Sequence, residues 1–206
     1  MTNQFNLRAD EYDKWFEENE IIFQSELNAL QEALPIEGTG IDIGTGTGRF
    51  ASPLKINIGV EPSENMSSIA KQRGITIINA VAENLPFKKQ SFDFALMVTT
   101  VCFLTNILQA FSEVHRILKP NGKIILGIID KNSKLGKMYE KEKSKSKFYN
   151  NANFYSTEEI THLLVKVGFI NFSYWQTLSA GREKIVEKPK SGFGDGSFVV
   201  IKAVKN

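Results

Sequence analysis

Gly40-Ile41-Asp42-Ile43-Gly44-Thr45-Gly46-Thr47-Gly48-Arg49-Phe50 is the stretch around which the chain is organised. Ile41 and Ile43, with Asp42 between them, read as the end of a short buried strand. Gly44, Gly46 and Gly48 then supply backbone that turns tightly and lets a ligand approach without side-chain interference. A short helix is expected after Gly48. Strand, glycine turn and helix N-terminus together make a cofactor cradle, because the free N–H groups of the turn point into the space above the strand's carboxyl end. Glycine spacing separates one cofactor from another. A dinucleotide fingerprint is G-x-G-x-x-G, whereas these glycines read G-x-G-x-G and Arg49 stands where the third dinucleotide glycine belongs, which argues against NAD.

Outward from this turn the chain alternates strands and helices. Ile56, Ile58 and Val60 alternate through a second strand, Lys55 to Glu61, that Pro62 stops and after which Ser63 caps a helix. Glu61 lies thirteen residues beyond Gly48, near where a strand-end acid accepts two hydrogen bonds from vicinal hydroxyls. The plain alternative is an exposed strand-end charge. Further strands are expected at Ile75 to Ala80, Ser91 to Thr99 and Lys123 to Ile129. Val98, Thr99 and Thr100, at the end of the central strand, border the expected site, and Asp130 at the next strand end is a candidate acceptor-binding residue or weak base.

Ahead of the turn, Tyr12, Phe16, Phe23, Leu27, Leu30 and Leu34 make one amphipathic helix from Asp10 to Leu34, ended by Pro35. Ile107, Leu108, Phe111, Val114 and Leu118 make another, which Lys119-Pro120-Asn121-Gly122 ends in a turn; His115 on it reads as a packed or surface residue. Ser156 with Glu159 is a capping box for the last helix, which stops at Gly168. Phe169 to Leu178 and Ser197 to Val204 read as a closing antiparallel pair joined through a flexible Lys188 to Gly196 connection. The expected fold is α/β, a Rossmann-like three-layer α/β/α sandwich.

Ile41 to Gly48 resembles motif I of the class I S-adenosylmethionine-dependent methyltransferases. Ala82-Glu83-Asn84-Leu85-Pro86-Phe87 ahead of Ser91-Phe92-Asp93 is similar to their small-molecule, quinone-type (type 11) branch, and the likeness runs from about Ile36 to the C-terminus. It implies a seven-stranded, mostly parallel sheet with the last strand antiparallel, S-adenosyl-L-methionine as cofactor, and a small-molecule methyl acceptor. By the same resemblance Asp42, Gly44, Thr45, Gly46 and Gly48 cradle the cofactor, and Glu61 takes the ribose hydroxyls with Pro62 beside it, while Met66 leans toward the adenine. Ala82 and Glu83 read the adenine edge above Leu85, Pro86 and Phe87, while Val98 and Thr99 border the transfer site. Without the resemblance, Glu83 is simply an acid favoured near a helix N-terminus.

The resemblance also makes residues 1–35 an N-terminal lid, with the aromatics Tyr12, Trp15 and Phe16 closing over cofactor and acceptor or, Phe16 above all, packing on the sheet as plain core, and residues 131–155 an insertion over the acceptor site. Tyr12, Thr99, Asp130 and Tyr155 are catalytic candidates by placement alone. After the fourth strand there is no Asn-Pro-Pro-Tyr, which argues against enzymes that methylate adenine or protein amides. Where relatives carry paired histidines this chain has Cys102 and Phe103, so histidine-based acceptor chemistry does not carry over. A sulfonium is already electrophilic, so such an enzyme needs alignment and water exclusion more than a base.

Composition bounds the rest. At 206 residues, 42% hydrophobic and 23% charged, the chain suits one domain, 1–206. Its longest apolar run, Phe92 to Leu104, is too short to span a bilayer. The first residues lack the apolar core of a signal peptide and Cys102 has no disulfide partner, so a cytoplasmic location is expected. Two histidines and one cysteine are too few for a His/Cys metal site. A net charge of +2 is too small to argue for nucleic acid, although Lys131 to Lys147 carries +5. Three other readings stay open: an RNA methyltransferase tethered by those lysines, a cofactor-binding protein without methyl transfer, and an oxidoreductase on the same doubly wound core.

Overall fold

In the computed structural model, which describes residues 2–179 and 184–206, the apolar runs become one sheet. Its strands are β1 (Gly40–Ile43), β2 (Ile58–Val60), β3 (Thr76–Ile78), β4 (Phe92–Val98), β5 (Leu118–Ile129), β6 (Phe169–Ser179), β7 (Lys190–Ser191) and β8 (Gly196–Lys205), in the order β3-β2-β1-β4-β5-β8-β6-β7. β1 to β5 pair in parallel, while β8 runs antiparallel to both β5 and β6. Along β4 every residue but Asp93 is buried, as expected for a central strand covered on both faces. Ala95 and Met97 enter one core with Ile41, Ile43, Phe111 and Ile117; Phe94, Leu96 and Val98 enter the other with Phe16, Leu30 and Phe198. This two-residue alternation makes three layers from one chain.

The helices are α1 (Thr2–Leu7), α2 (Ala9–Glu18), α3 (Glu20–Ala33), α4 (Glu64–Gln72), α5 (Ile107–Ile117), α6 (Lys134–Glu142) and α7 (Thr157–Val167). α5 and α7 cover the first core, and α2, α3 and α4 the second. No described helix is long and apolar enough to cross a membrane. Ser63 caps α4, the Ser156/Glu159 box opens α7, and Gly168 at φ 104° closes it.

Four expectations need correction. The single helix from Asp10 to Leu34 is two, because Asn19 (φ −123°, ψ 41°) leaves helical geometry and turns both its main-chain N–H and its side-chain amide onto the Trp15 carbonyl. No helix follows Gly48. Ser52 donates to the Gly48 carbonyl and Leu54 to that of Phe50, but Pro53 between them has no N–H to continue the ladder, so the segment stays a string of turns. Lys119 to Gly122 lies inside β5, where the pairing jumps from Phe92 opposite Leu118 to Phe94 opposite Lys123 and the intervening residues bulge. Among the described residues the sheet has eight strands instead of seven. β7 forms in the supposedly flexible connection by pairing with Trp175 and Gln176, and the Gln176 side chain accepts the N–H groups of Asp195 and Gly196.

Candidate functional site

The glycine turn after β1 is shaped by what surrounds it. A Cβ on Gly44 would lie 2.4 Å from Thr100 Cγ2 and one on Gly48 2.5 Å from Ile75 Cδ1, so both positions are closed by packing. Gly46 meets nothing nearer than the Tyr12 ring at 3.7 Å and forms the open face. The N–H groups of the turn are not free as expected. Gly44 and Thr45 donate to the Val60 carbonyl, Gly48 to that of Thr45, and Gly46 to the Glu61 carboxylate at 2.9 Å. The turn is thereby stitched to the end of β2.

Above the ends of β1, β2 and β4 lies a cleft enclosing about 1000 Å³, part of it open to solvent. Of the residues singled out from the sequence, Tyr12, Gly44, Gly46, Glu61, Pro62, Met66, Ala82, Glu83, Val98 and Thr99 line it. Asp42, Thr45 and Gly48 are not on its wall. The Thr45 hydroxyl donates to the Asp42 carbonyl at 2.8 Å, and both residues are buried.

Glu61 is 8% exposed and accepts the N–H of Gly46 and, at 2.8 Å, that of Ser63. Burial holds its carboxyl above the usual range, and the two N–H donors pull the other way. Burial, with the Glu61 charge adding, pushes Asp42 up to about 8, and its Oδ1 is buried without a partner. A carboxyl oxygen in that state seeks a donor, and each Glu61 oxygen keeps a lone pair for a second one. With the open face at Gly46 and an apolar wall of Met66 and Ala82, the residues present fit an adenosyl group bearing vicinal hydroxyls.

Glu83 lines the cleft, yet its Oε1 accepts the N–H groups of Thr105 and Asn106 at 2.8 and 3.2 Å, just before α5. Its carboxylate therefore organises that turn. Leu85 and Phe87 are drawn away from the cleft because Arg116, paired with Glu113, donates to both their carbonyls; Phe87 packs edge-on to Phe92.

Aromatic side chains roof the cleft. Phe5 of α1 and Tyr12 of α2 meet Phe103, from the single turn Val101–Phe103, and Phe148–Tyr149, from the segment after α6. Ring centroids lie 4.9 Å apart for Phe5 and Phe103 and 5.8 Å for Phe103 and Tyr149. Gln4 donates to the Phe148 carbonyl at 2.7 Å and Lys147 pairs with Glu11, so the N-terminal helices and the insertion touch across the mouth. Trp15 does not join them. It is exposed and packs edge-on to Phe16. Burial, with Glu26 and Glu61 adding, holds the Tyr12 phenol well above its ordinary value, so it stays protonated.

Beyond Thr99 and Tyr149 a smaller cavity continues between Val101, Cys102, Ile128, Ile129, Phe154 and Tyr155. Tyr155 belongs here, outside the main cleft. Burial pushes the Cys102 thiol up to about 12, so it is uncharged. Thr99, at the junction, has φ 49°, a strained value for a β-branched residue, held by its N–H bond to the Gly127 carbonyl. Asp130 is a correction. One of its oxygens accepts the Asn132 N–H at 2.7 Å and the other the Thr157 N–H at 2.9 Å together with the Thr157 hydroxyl, so it anchors the start of α7 and reaches neither cavity. Phe5, Phe103 and Tyr149 were not singled out as site residues. Phe5 sits in a polar stretch without periodicity and Tyr149 in a lysine-rich one; only the departure at Cys102-Phe103 was a signal.

The family model described as "Methyltransferase domain" matches residues 41–126. An uncharacterized protein of Methanocaldococcus jannaschii is 50% identical over 204 residues, covering 98% of this chain and 99% of that one. A crystal structure from Thermotoga maritima, described as a "SAM-dependent methyltransferase, possible histamine N-methyltransferase", is 50% identical with a TM-score of 0.97 and full coverage of both chains. A malonyl-[acyl-carrier protein] O-methyltransferase of Marinomonas sp. is 25% identical over 146 residues, which span 65% of this chain and 53% of that enzyme. The chain belongs to the class I S-adenosylmethionine-dependent methyltransferases and takes S-adenosylmethionine as its cofactor.

Proposed function

We propose that this protein methylates a small-molecule acceptor by in-line displacement inside the roofed cleft, with alignment and desolvation supplying most of the rate. The observation that carries this reading is the roof itself, in which Phe5, Phe103 and Tyr149 close over the wall formed by Thr99. An enclosure of that kind suits a small acceptor held away from water and not an extended polymer.

When bound, S-adenosylmethionine supplies an electrophilic sulfonium methyl. Glu61 holds vicinal hydroxyls with its two oxygens, Met66 and Ala82 wall the base, and Asp42 stiffens the turn from beneath. The Tyr12 ring covers the open face at Gly46, and Phe5 and Phe103 exclude water. No base is assigned. The carboxylates among the described lining residues, Glu61 and Glu83, both already accept main-chain N–H groups, and Tyr12 is protonated. The acceptor therefore enters the cleft already deprotonated or carries a free lone pair.

The test is a thermal-shift titration with S-adenosylmethionine, S-adenosylhomocysteine and NAD on the wild type and Glu61→Ala. A native-state ligand at a hundred times its Kd adds about 2.7 kcal/mol. Stabilisation by both adenosyl compounds that weakens in the variant is expected, followed by turnover in a screen of small amines and carboxylic acids. The amines are included because of the Thermotoga maritima description, the acids because of the malonyl-carrier relative. Turnover only with a nucleic acid or protein would sink the reading.

A further inference from the structure

Arg49, the residue that breaks the dinucleotide spacing, joins a salt-bridge network of four charged side chains with Asp13, Glu17 and Arg73, the largest among the described residues. Its Nε and Nη2 donate to Asp13 Oδ1 and Oδ2 at 2.9 and 2.7 Å, and Nη2 also reaches Glu17 at 2.7 Å. Arg73, the C-cap of α4, donates one Nη to Asp13 Oδ2 at 2.8 Å and the other to the Thr47 carbonyl at 2.7 Å. One carboxylate thus binds together α2, the glycine turn and the end of α4. Its side chain is 15% exposed, and those of Arg49 and Arg73 are 18% and 24% exposed.

Asp13 lines neither cavity, but the residue before it does. Tyr12 lies over Gly46, whose N–H donates to Glu61. α2 has a separate apolar anchor, since Phe16 is 5% exposed and packs against Phe23 and Phe50. That anchor accounts for docking, but a greasy contact leaves rotation and sliding of the helix loosely defined. A bidentate, partly buried ion pair contributes little net stability and much geometric definition.

We propose that Asp13 is a positioning residue for cofactor binding, which through Arg49 and Arg73 sets Tyr12 over the open face of the glycine turn. The proposal rests on the reading that the cleft holds the cofactor. Burial alone would raise the Asp13 carboxyl, but Arg49 and Arg73 hold it down to about 2, so the network is ionised throughout the neutral range and its effect is independent of pH there.

The experiment is calorimetric titration of S-adenosylhomocysteine, well below each variant's Tm, into wild type, Asp13→Asn, Tyr12→Ala, the double variant and Glu61→Ala. Asp13→Asn should raise Kd about tenfold, within the usual range of coupling between sites. In the Tyr12→Ala background the same change should have almost no further effect, because both act through one ring. A lower Tm with unchanged Kd would make Asp13 merely structural and overturn the proposal, as would full additivity with Tyr12→Ala. Should Asp13→Asn not fold, Arg73→Gln keeps the Arg49–Asp13 pair and cuts the tether to Thr47; a raised Kd supports the proposal and an unchanged one overturns it. Wild-type affinity in Glu61→Ala would overturn the cleft assignment and this proposal with it, whereas loss there alone would sink only Asp13.

Discussion

Glu26, on α3, is 5% exposed, and burial pushes its carboxyl from 4.5 up to about 8. Between those values the folded chain keeps a proton that the unfolded chain releases, so stability falls as pH rises through this window. Asp42 adds a slope of the same sign, from 3.8 to about 8. Glu26→Gln should therefore flatten part of the fall in Tm measured from pH 4 to 9, and raise stability at pH 8 by on the order of 2 kcal/mol. A variant with the wild-type slope would show that Glu26 ionises freely in the fold. Asp130 makes the opposite kind of prediction. Asp130→Ala strands the donors of Asn132 and Thr157 and should cost about 2 kcal/mol in urea unfolding. It should leave S-adenosylhomocysteine affinity unchanged, because the residue reaches neither cavity. A carboxylate at a strand end has the same sequence signature whether it faces a cleft or a helix N-terminus, so Asp130 and Glu61 read alike in the sequence although only Glu61 lines the cleft.

At the scale of elements, the glycines of the turn are separable by the space around them. Gly44→Ala combines φ 78° with a 2.4 Å approach to Thr100 and should cost about 3 kcal/mol or more. Gly46→Ala meets no atom closer than 3.7 Å, so only its φ of 57° is penalised, by about 1 kcal/mol. Chemical denaturation of the two variants without ligand checks the order, and equal losses would contradict the packing described. Ser156→Ala should remove about 1 kcal/mol, since its side chain accepts the Glu159 N–H within a reciprocal box. That box, the Ser63 cap and the Gly168 stop were legible because a cap is an interaction among residues three or four positions apart. The break at Asn19 is not, since the apolar period of Asp10 to Leu34 continues across it, and the turns after Gly48 are not, since a strand and glycine turn of this kind is ordinarily followed by a helix, although Pro53 is in plain view.

For the whole molecule, the lysine-rich segment is partly neutralised by partners from elsewhere. Lys131 pairs with Glu159 and Lys147 with Glu11, while the Lys143–Glu140 pair lies within the segment itself. Single-stranded RNA should accordingly show no steep loss of affinity between about 50 and 200 mM salt in fluorescence anisotropy, whereas a phosphate-binding surface would lose orders of magnitude. A steep slope would favour the RNA reading over the small-molecule one.

By itself the sequence determined the alternation of strands and helices, the sandwich class, the glycine turn and the acid at the end of β2. Each is carried by periodicity, turn chemistry or spacing over at most about twenty residues. Only the tertiary structure decided that Phe5, Tyr12, Phe103 and Tyr149 converge on one roof, that a two-residue strand extends the sheet, and that Arg49 meets Asp13 across 36 positions. Those contacts depend on how distant elements pack on a common sheet, and an aromatic or a charge carries no local mark of the partner that packing will bring to it.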